Sequence, residues 1–135
     1  MMRPARPRAV ALLLLCLATP AVSQPLTAEE FEQATTGRTF FYSRDGQSYG
    51  AEQYLPGRKV IWAFTGDDCQ KGLWYPDGPD ICFVYENKPD PQCWIFTQGA
   101  GGLEARFRDD FAESPLLGQR SSPEPMACLG PDVGV

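Results

Sequence analysis

Between Thr39 and Phe107 the chain is cut into short β-prone runs, and that punctuation leaves few folds open. The runs are Thr39–Ser43, Ser48–Leu55, Lys59–Phe64, Cys69–Tyr75, Ile81–Glu86, Cys93–Gln98 and Leu103–Phe107. Clusters of Gly, Pro and Asp separate them: Arg44-Asp45-Gly46-Gln47, Pro56-Gly57, Thr65-Gly66-Asp67-Asp68, Pro76-Asp77-Gly78-Pro79-Asp80, Asn87-Lys88-Pro89-Asp90-Pro91 and Gly99-Ala100-Gly101-Gly102. Aromatic and β-branched runs of strand length, regularly interrupted by turn residues, mark an all-β domain. The connections are too short for crossovers, so successive strands must be antiparallel neighbours. Asp45-Gly46 is the strongest hairpin signal among them. Val60, Trp62 and Phe64 alternate onto one face of their run. The pattern predicts a mainly β fold, a single antiparallel meander of about seven strands, forming a curled sheet or a small calycin-like barrel.

Thr27-Ala28-Glu29-Glu30 before this region is an S/T-x-x-E capping box. It predicts a short helix from Ala28 to Ala34, with Leu26 stapling Phe31 and Thr35-Thr36-Gly37 as the stop. That helix should cover an edge or end of the sheet. After Phe111 the composition changes. Ser121-Ser122-Pro123-Glu124-Pro125 is a poor central strand, because proline donates no ladder hydrogen bond. Residues 112–135 are therefore predicted to run over the surface as an irregular tail tied down by Cys128. The expected segments are a cleaved signal peptide over 1–23, a helical segment over 24–37, a β-domain over 38–111 and the tail.

The signal peptide rests on Arg3, Arg6 and Arg8, the apolar run Ala9 to Ala18, and Ala21-Val22-Ser23 before Gln24. These are a positive n-region, an h-region and a small-x-small cleavage site. The apolar run falls short of the about 20 residues a membrane helix needs. Leu13-Leu14-Leu15 precede Cys16 where a lipobox wants a small residue, so Cys16 reads as an ordinary h-region residue. The expectation is a periplasmic or secreted protein of a Gram-negative bacterium, with no stable membrane insertion after cleavage. Cleavage also removes three arginines from a chain of net charge −5. Nine basic residues then face seventeen acidic ones, a net charge of −8. Scattered cations and this acidity exclude a phosphate-neutralising nucleic-acid surface.

Cleavage leaves Cys69, Cys82, Cys93 and Cys128, which in an exported chain read as two disulfides. Cys82 and Cys93 are symmetric about a turn near Asn87-Lys88, which favours Cys82–Cys93 with Cys69–Cys128. The rival is Cys69–Cys82 with Cys93–Cys128, since the first pair is symmetric about Tyr75-Pro76. Gaps of 13, 11 and 35 residues, with no histidine in the chain, fit neither a zinc site nor a Cys-x-x-Cys redox centre. Lack of histidine also removes the Ser-His and Cys-His nucleophile arrangements.

Asp67-Asp68, Asp77 with Asp80, and Asp109-Asp110 lie in predicted turns or the tail, where Asp ordinarily bonds local backbone N–H groups. EF-hand spacing and phosphate-binding glycine loops are absent. No catalytic residue, metal ligand or cofactor site is assigned. One ligand site is conceivable. Trp62, Trp74, Trp94, Phe64, Phe83 and Phe96 either fill the core or line a barrel mouth that takes a small apolar ligand.

Cys69-x-x-Gly72-x-Trp74, Ile81-Cys82-Phe83-x-Tyr85-Glu86, Cys93-Trp94 and Ala105-Arg106 resemble small exported alphaproteobacterial proteins classed as domains of unknown function. Asp45-Gly46-Gln47 through Tyr54-Leu55-Pro56-Gly57-Arg58 fits the same group. The resemblance implies a periplasmic location and a small β-sheet fold, with Gly72, Trp74, Cys82 and Cys93 defining the fold, and it carries over no activity. The leading expectation is a non-enzymatic protein-interaction or inhibitor-like module whose partner is an unknown protein. The alternative is a calycin-like binder of a small apolar ligand. A carboxylate-based hydrolase has the least support, because it needs two acids facing each other in one cleft.

Overall fold

The computed structural model describes residues 1–4, 17–20 and 23–128. The apolar run of the expected signal peptide, Cys16 and Ala21-Val22 fall on residues 5–16 and 21–22, so that reading lies outside the described residues. One helix, α1 (Ala28–Thr35), precedes eight strands: β1 (Thr39–Arg44), β2 (Gln47–Leu55), β3 (Lys59–Phe64), β4 (Gln70–Asp77), β5 (Asp80–Tyr85), β6 (Lys88–Gly99), β7 (Gly102–Phe107) and β8 (Leu116–Ser122). Each strand pairs with the next, and β8 returns to β1, so the sheet closes into an up-and-down barrel. The mainly β, calycin-like expectation holds.

Local chemistry accounts for the elements read from sequence. Asp45 and Gly46 both take positive φ, 50° and 77°, as a two-residue primed turn requires. The α1 capping box is formed: Glu30 donates its backbone N–H to Thr27 Oγ1 at 3.2 Å, and Thr27 donates its own to Glu30 Oε2 at 2.8 Å. Phe31, on the apolar face of α1, is fully buried. Its ring lies 5.5, 5.1 and 4.5 Å from Tyr54, Trp74 and Phe96. The helix therefore plugs one end of the barrel. Arg58, in the β2–β3 turn, donates to Glu32 at 3.1 Å and ties α1 to that end.

Three expectations need correction. The first concerns the tail over 112–135, which contains β8. Leu116 and Gly118 pair with Ala105 and Leu103 of β7, while Ser121 and Ser122 pair with Phe40 and Thr39 of β1. Without β8, both β1 and β7 would expose a row of unpaired backbone groups. The second concerns Pro89-Asp90-Pro91, which belongs to β6 rather than to a loop. Pairing with β5 registers Lys88 and Gln92 but none of these three, and pairing with β7 starts at Trp94. The prolines thus sit where no ladder donor is required. The third concerns Pro76, which lies inside β4, opposite Ile81. On the other side β3 pairs only as far as Leu73, so its missing N–H is not needed there either.

Both favoured disulfides are present. Cys82 and Cys93 are cross-strand partners with Cα atoms 4.0 Å apart. Cys69 joins Cys128 across 59 residues, at the end of a tail also held by Met126 N–H on Gln53 Oε1 (3.1 Å) and Thr39 Oγ1 on the Glu124 carbonyl (2.7 Å). Two internal disulfides fit a chain that matures in an oxidising compartment. Among the described residues no helix is long and apolar enough to cross a membrane. Opening the longer loop with Cys69→Ser and Cys128→Ser should remove about 4 kcal/mol on the chain-entropy model. Guanidinium unfolding measures this, and an unchanged midpoint would show that the non-covalent contacts hold the tail alone.

Candidate functional site

Strand alternation aims Gly50, Glu52 and Tyr54 of β2 inward, opposite Phe64, Trp62 and Val60 of β3. With one end filled by Phe31, the opposite end of the barrel keeps space. A chamber of about 50 Å³ is lined by Tyr42, Glu52, Tyr54, Trp62, Tyr85 and Gln92 among others. Adjoining it is a depression of about 340 Å³ at the mouth, with Asp67, Asp68, Asn87 and Lys88 on its rim. Trp62, Phe64, Tyr85 and Gln92 line both spaces.

Small inner-face residues make room for the rings. A Cβ on Gly72 would come within 2.7 Å of the Tyr85 ring, and one on Gly50 within 2.6 Å of the Trp62 indole. Tyr49, Trp62 and Phe64 cluster at the mouth, with centroid separations of 5.3 to 6.0 Å. Phe64 is about half exposed, at 48%.

The chamber floor is polar. Glu52 is 2% exposed, and Tyr85 donates its hydroxyl to the carboxyl oxygens at 2.9 and 3.1 Å. The Tyr42 and Tyr54 hydroxyls share a 2.8 Å hydrogen bond. Burial pushes the Glu52 carboxyl well above the usual carboxylate range, outweighing the opposing pull of the Tyr85 hydrogen bond. Burial likewise raises the phenols of Tyr42, Tyr54 and Tyr85 above theirs.

Of the six aromatics expected either to fill the core or to line a mouth, Trp62, Phe64, Phe83, Trp94 and Phe96 border the chamber. Trp74 does not. It lies toward the plugged end, edge-on to Phe31 at 5.1 Å and beneath the Arg58 guanidinium at 4.6 Å. Glu52 and the four tyrosines of the chamber went unnoticed in the sequence. The alternation Gly50-x-Glu52-x-Tyr54 carried the signal, because it places the acid on the same face as a core tyrosine.

The acidic clusters scatter. Asp67 and Asp68 reach the rim. Asp80 is buried and ion-paired with Arg108. Asp110 Oδ1 accepts the backbone N–H groups of Ala112 and Glu113, the local role expected of a turn aspartate. Among the described residues no three Cys, Asp or Glu side chains gather as a metal site would require.

Fold and site together define a class: an eight-stranded antiparallel barrel, plugged at one end and open onto an aromatic chamber at the other. Compared with protein-family models, with curated proteins and with solved structures, the chain matches none, so the reading of the site rests on its own geometry.

Proposed function

We propose that this protein is a non-enzymatic binding module of an oxidising envelope compartment, the periplasm, and that it takes a small ligand at the open end of its barrel. One observation carries the reading: the aromatic mouth of about 340 Å³ adjoins an inner chamber with a buried carboxyl group. Ligand sites are typically concave and mostly apolar, with a few placed polar groups. A ligand with a polar group suits this site better than a purely apolar one, because Glu52, Gln92 and the phenols also line the chamber.

A protein-interaction module gains less support, since ring closure leaves free only the overhanging ends of β4 and β6, where prolines limit what a partner strand can pair with. Exposed Leu73 and Tyr75, at outward positions of β4, are what favours it. Hydrolysis by paired carboxylates lacks a second acid in the chamber, where Glu52 is the one carboxyl group among the lining residues. Titrating the protein with small heteroaromatic compounds should shift its tryptophan fluorescence, and Trp62→Ala should abolish the shift while the circular dichroism spectrum is kept. Silence of the wild-type protein across a broad panel would sink the reading.

A further inference from the structure

Glu52 is chemically out of place in a filled core. Buried acids are normally paired with a cation, and the chain follows that rule at Asp80, whose partner is Arg108. Glu52, more deeply buried, takes part in none of the ion pairs among the described residues. Its hydrogen-bond partner is a neutral phenol. An amide would accept the Tyr85 hydroxyl equally well without the penalty of a buried acid, so a purely structural role does not explain a carboxyl group here.

We propose that the inner chamber is a site for a protonated primary amine, with the ammonium head against Glu52 and the rest of the molecule in the mouth. This deepens the mouth-binding reading and rests on it. An ammonium carries three N–H donors. The chamber offers acceptors to match: the Glu52 carboxylate, the Tyr42 and Tyr54 phenol oxygens and the Gln92 side-chain carbonyl. Trp62 and Tyr85 supply aromatic rings of the kind that attract cations.

Size adds selectivity. The inner chamber, about 50 Å³, is far smaller than the mouth of about 340 Å³, so it suits a compact ammonium head better than a bulkier trimethylammonium. At the rim Asp67 and Asp68 outnumber Lys88, which favours the approach of a cation. Arg44 of β1, the other cation near the mouth, is occupied by Glu113 and by the Tyr49 ring.

The proton balance follows from the burial. The carboxyl group of the empty chamber gives its proton to solvent as the ammonium arrives, leaving a carboxylate–ammonium pair and one free proton. Tyr42, Tyr54 and Tyr85, the other ionisable groups facing Glu52, keep their protons throughout. Affinity should therefore rise up to about tenfold per pH unit while Glu52 is protonated in the free protein.

The test uses calorimetry and tryptophan fluorescence with four probes: phenethylamine, 2-phenylethanol, phenethyltrimethylammonium, and an acetylated, amidated Gly-Lys-Gly peptide. Phenethylamine should bind the wild type at least tenfold more tightly than either of the first two controls. In two buffers of different ionisation enthalpy, at a pH where Glu52 is protonated in the free protein, close to one proton should be released per amine. Glu52→Gln should lose at least tenfold in amine affinity and most of the preference for phenethylamine over 2-phenylethanol. The peptide distinguishes the source of the amine: tighter binding than phenethylamine assigns a partner lysine, and weaker binding a free amine.

Equal binding of phenethylamine and 2-phenylethanol, or amine binding without proton release, would overturn the inference and leave the mouth reading standing. Proton release is measured on the wild type, so it decides the matter even where a variant folds poorly. No response to any of the four probes would overturn the inference, while the mouth reading is decided separately by the broad heteroaromatic panel.

Discussion

Replacing Phe31 by alanine should lower the folding stability by about 3–5 kcal/mol, the range for emptying a buried aromatic site. The side chain has no exposed surface and meets the rings of Tyr54, Trp74, Phe83 and Phe96 from four different strands, three of them edge-on. Aromatic contacts of this kind contribute beyond the area they bury. A loss of that size is large against a total of about 5–15 kcal/mol for a domain. Guanidinium unfolding of Phe31→Ala and Phe31→Leu measures it, with the leucine variant expected to recover about half of the loss because it refills most of the volume. A loss below about 1 kcal/mol for the alanine variant would mean that α1 rests on a barrel already packed without it.

The pH dependence of stability should carry the mark of Glu52. Its carboxyl is raised in the folded protein, so above the ordinary glutamate range the unfolded chain has released a proton that the folded chain retains. The folded state then binds more protons, and stability falls as pH rises. The contribution is complete at acidic pH and is lost progressively from about pH 4.5 up to the raised folded value, at about 1.4 kcal/mol per pH unit. Glu52→Gln removes this slope. The variant should gain on the wild type steadily across that window, at up to about 1.4 kcal/mol per pH unit. Parallel stability curves for the two proteins above about pH 4.5 would show that the carboxyl group is ionised in the fold.

Much of the barrel was legible along the chain because its contacts are local. Hairpin pairs such as Arg44↔Gln47 and Gly99↔Gly102 are set by the residues between them, and the capping box by four consecutive side chains. The Cys82–Cys93 bond follows from the same symmetry. The Cys69–Cys128 bond came by elimination once that pair was chosen. Which of the six aromatics fill the core and which reach the chamber was not legible, because alternation reports the face a side chain takes and says nothing about its height along the barrel axis; Trp74 lies at the plugged end.

Glu52 was overlooked for a related reason. An acid in a strand is ordinarily solvent-facing, and only the register against Trp62 and the reach of Tyr85 from β5 reveal it as buried. The prolines of β4 and β6 looked like strand breakers because the unpaired stretch each occupies is a property of the stagger between strands, not of the local sequence.

The order of the strands, their antiparallel sense, the helix and the class of fold were all decided by short-range chemistry: turn residues, period-two alternation and one cap. Closure was decided elsewhere. β8 has a modest pattern of its own and becomes a strand because two exposed edges, β1 and β7, must be satisfied at once, with Thr39 meeting Ser122 across most of the domain. The chamber has the same origin. Its volume is what remains after α1 enters one end and the rings of β1, β2, β3, β5 and β6 settle against small inner residues, and no single segment of the chain encodes that difference.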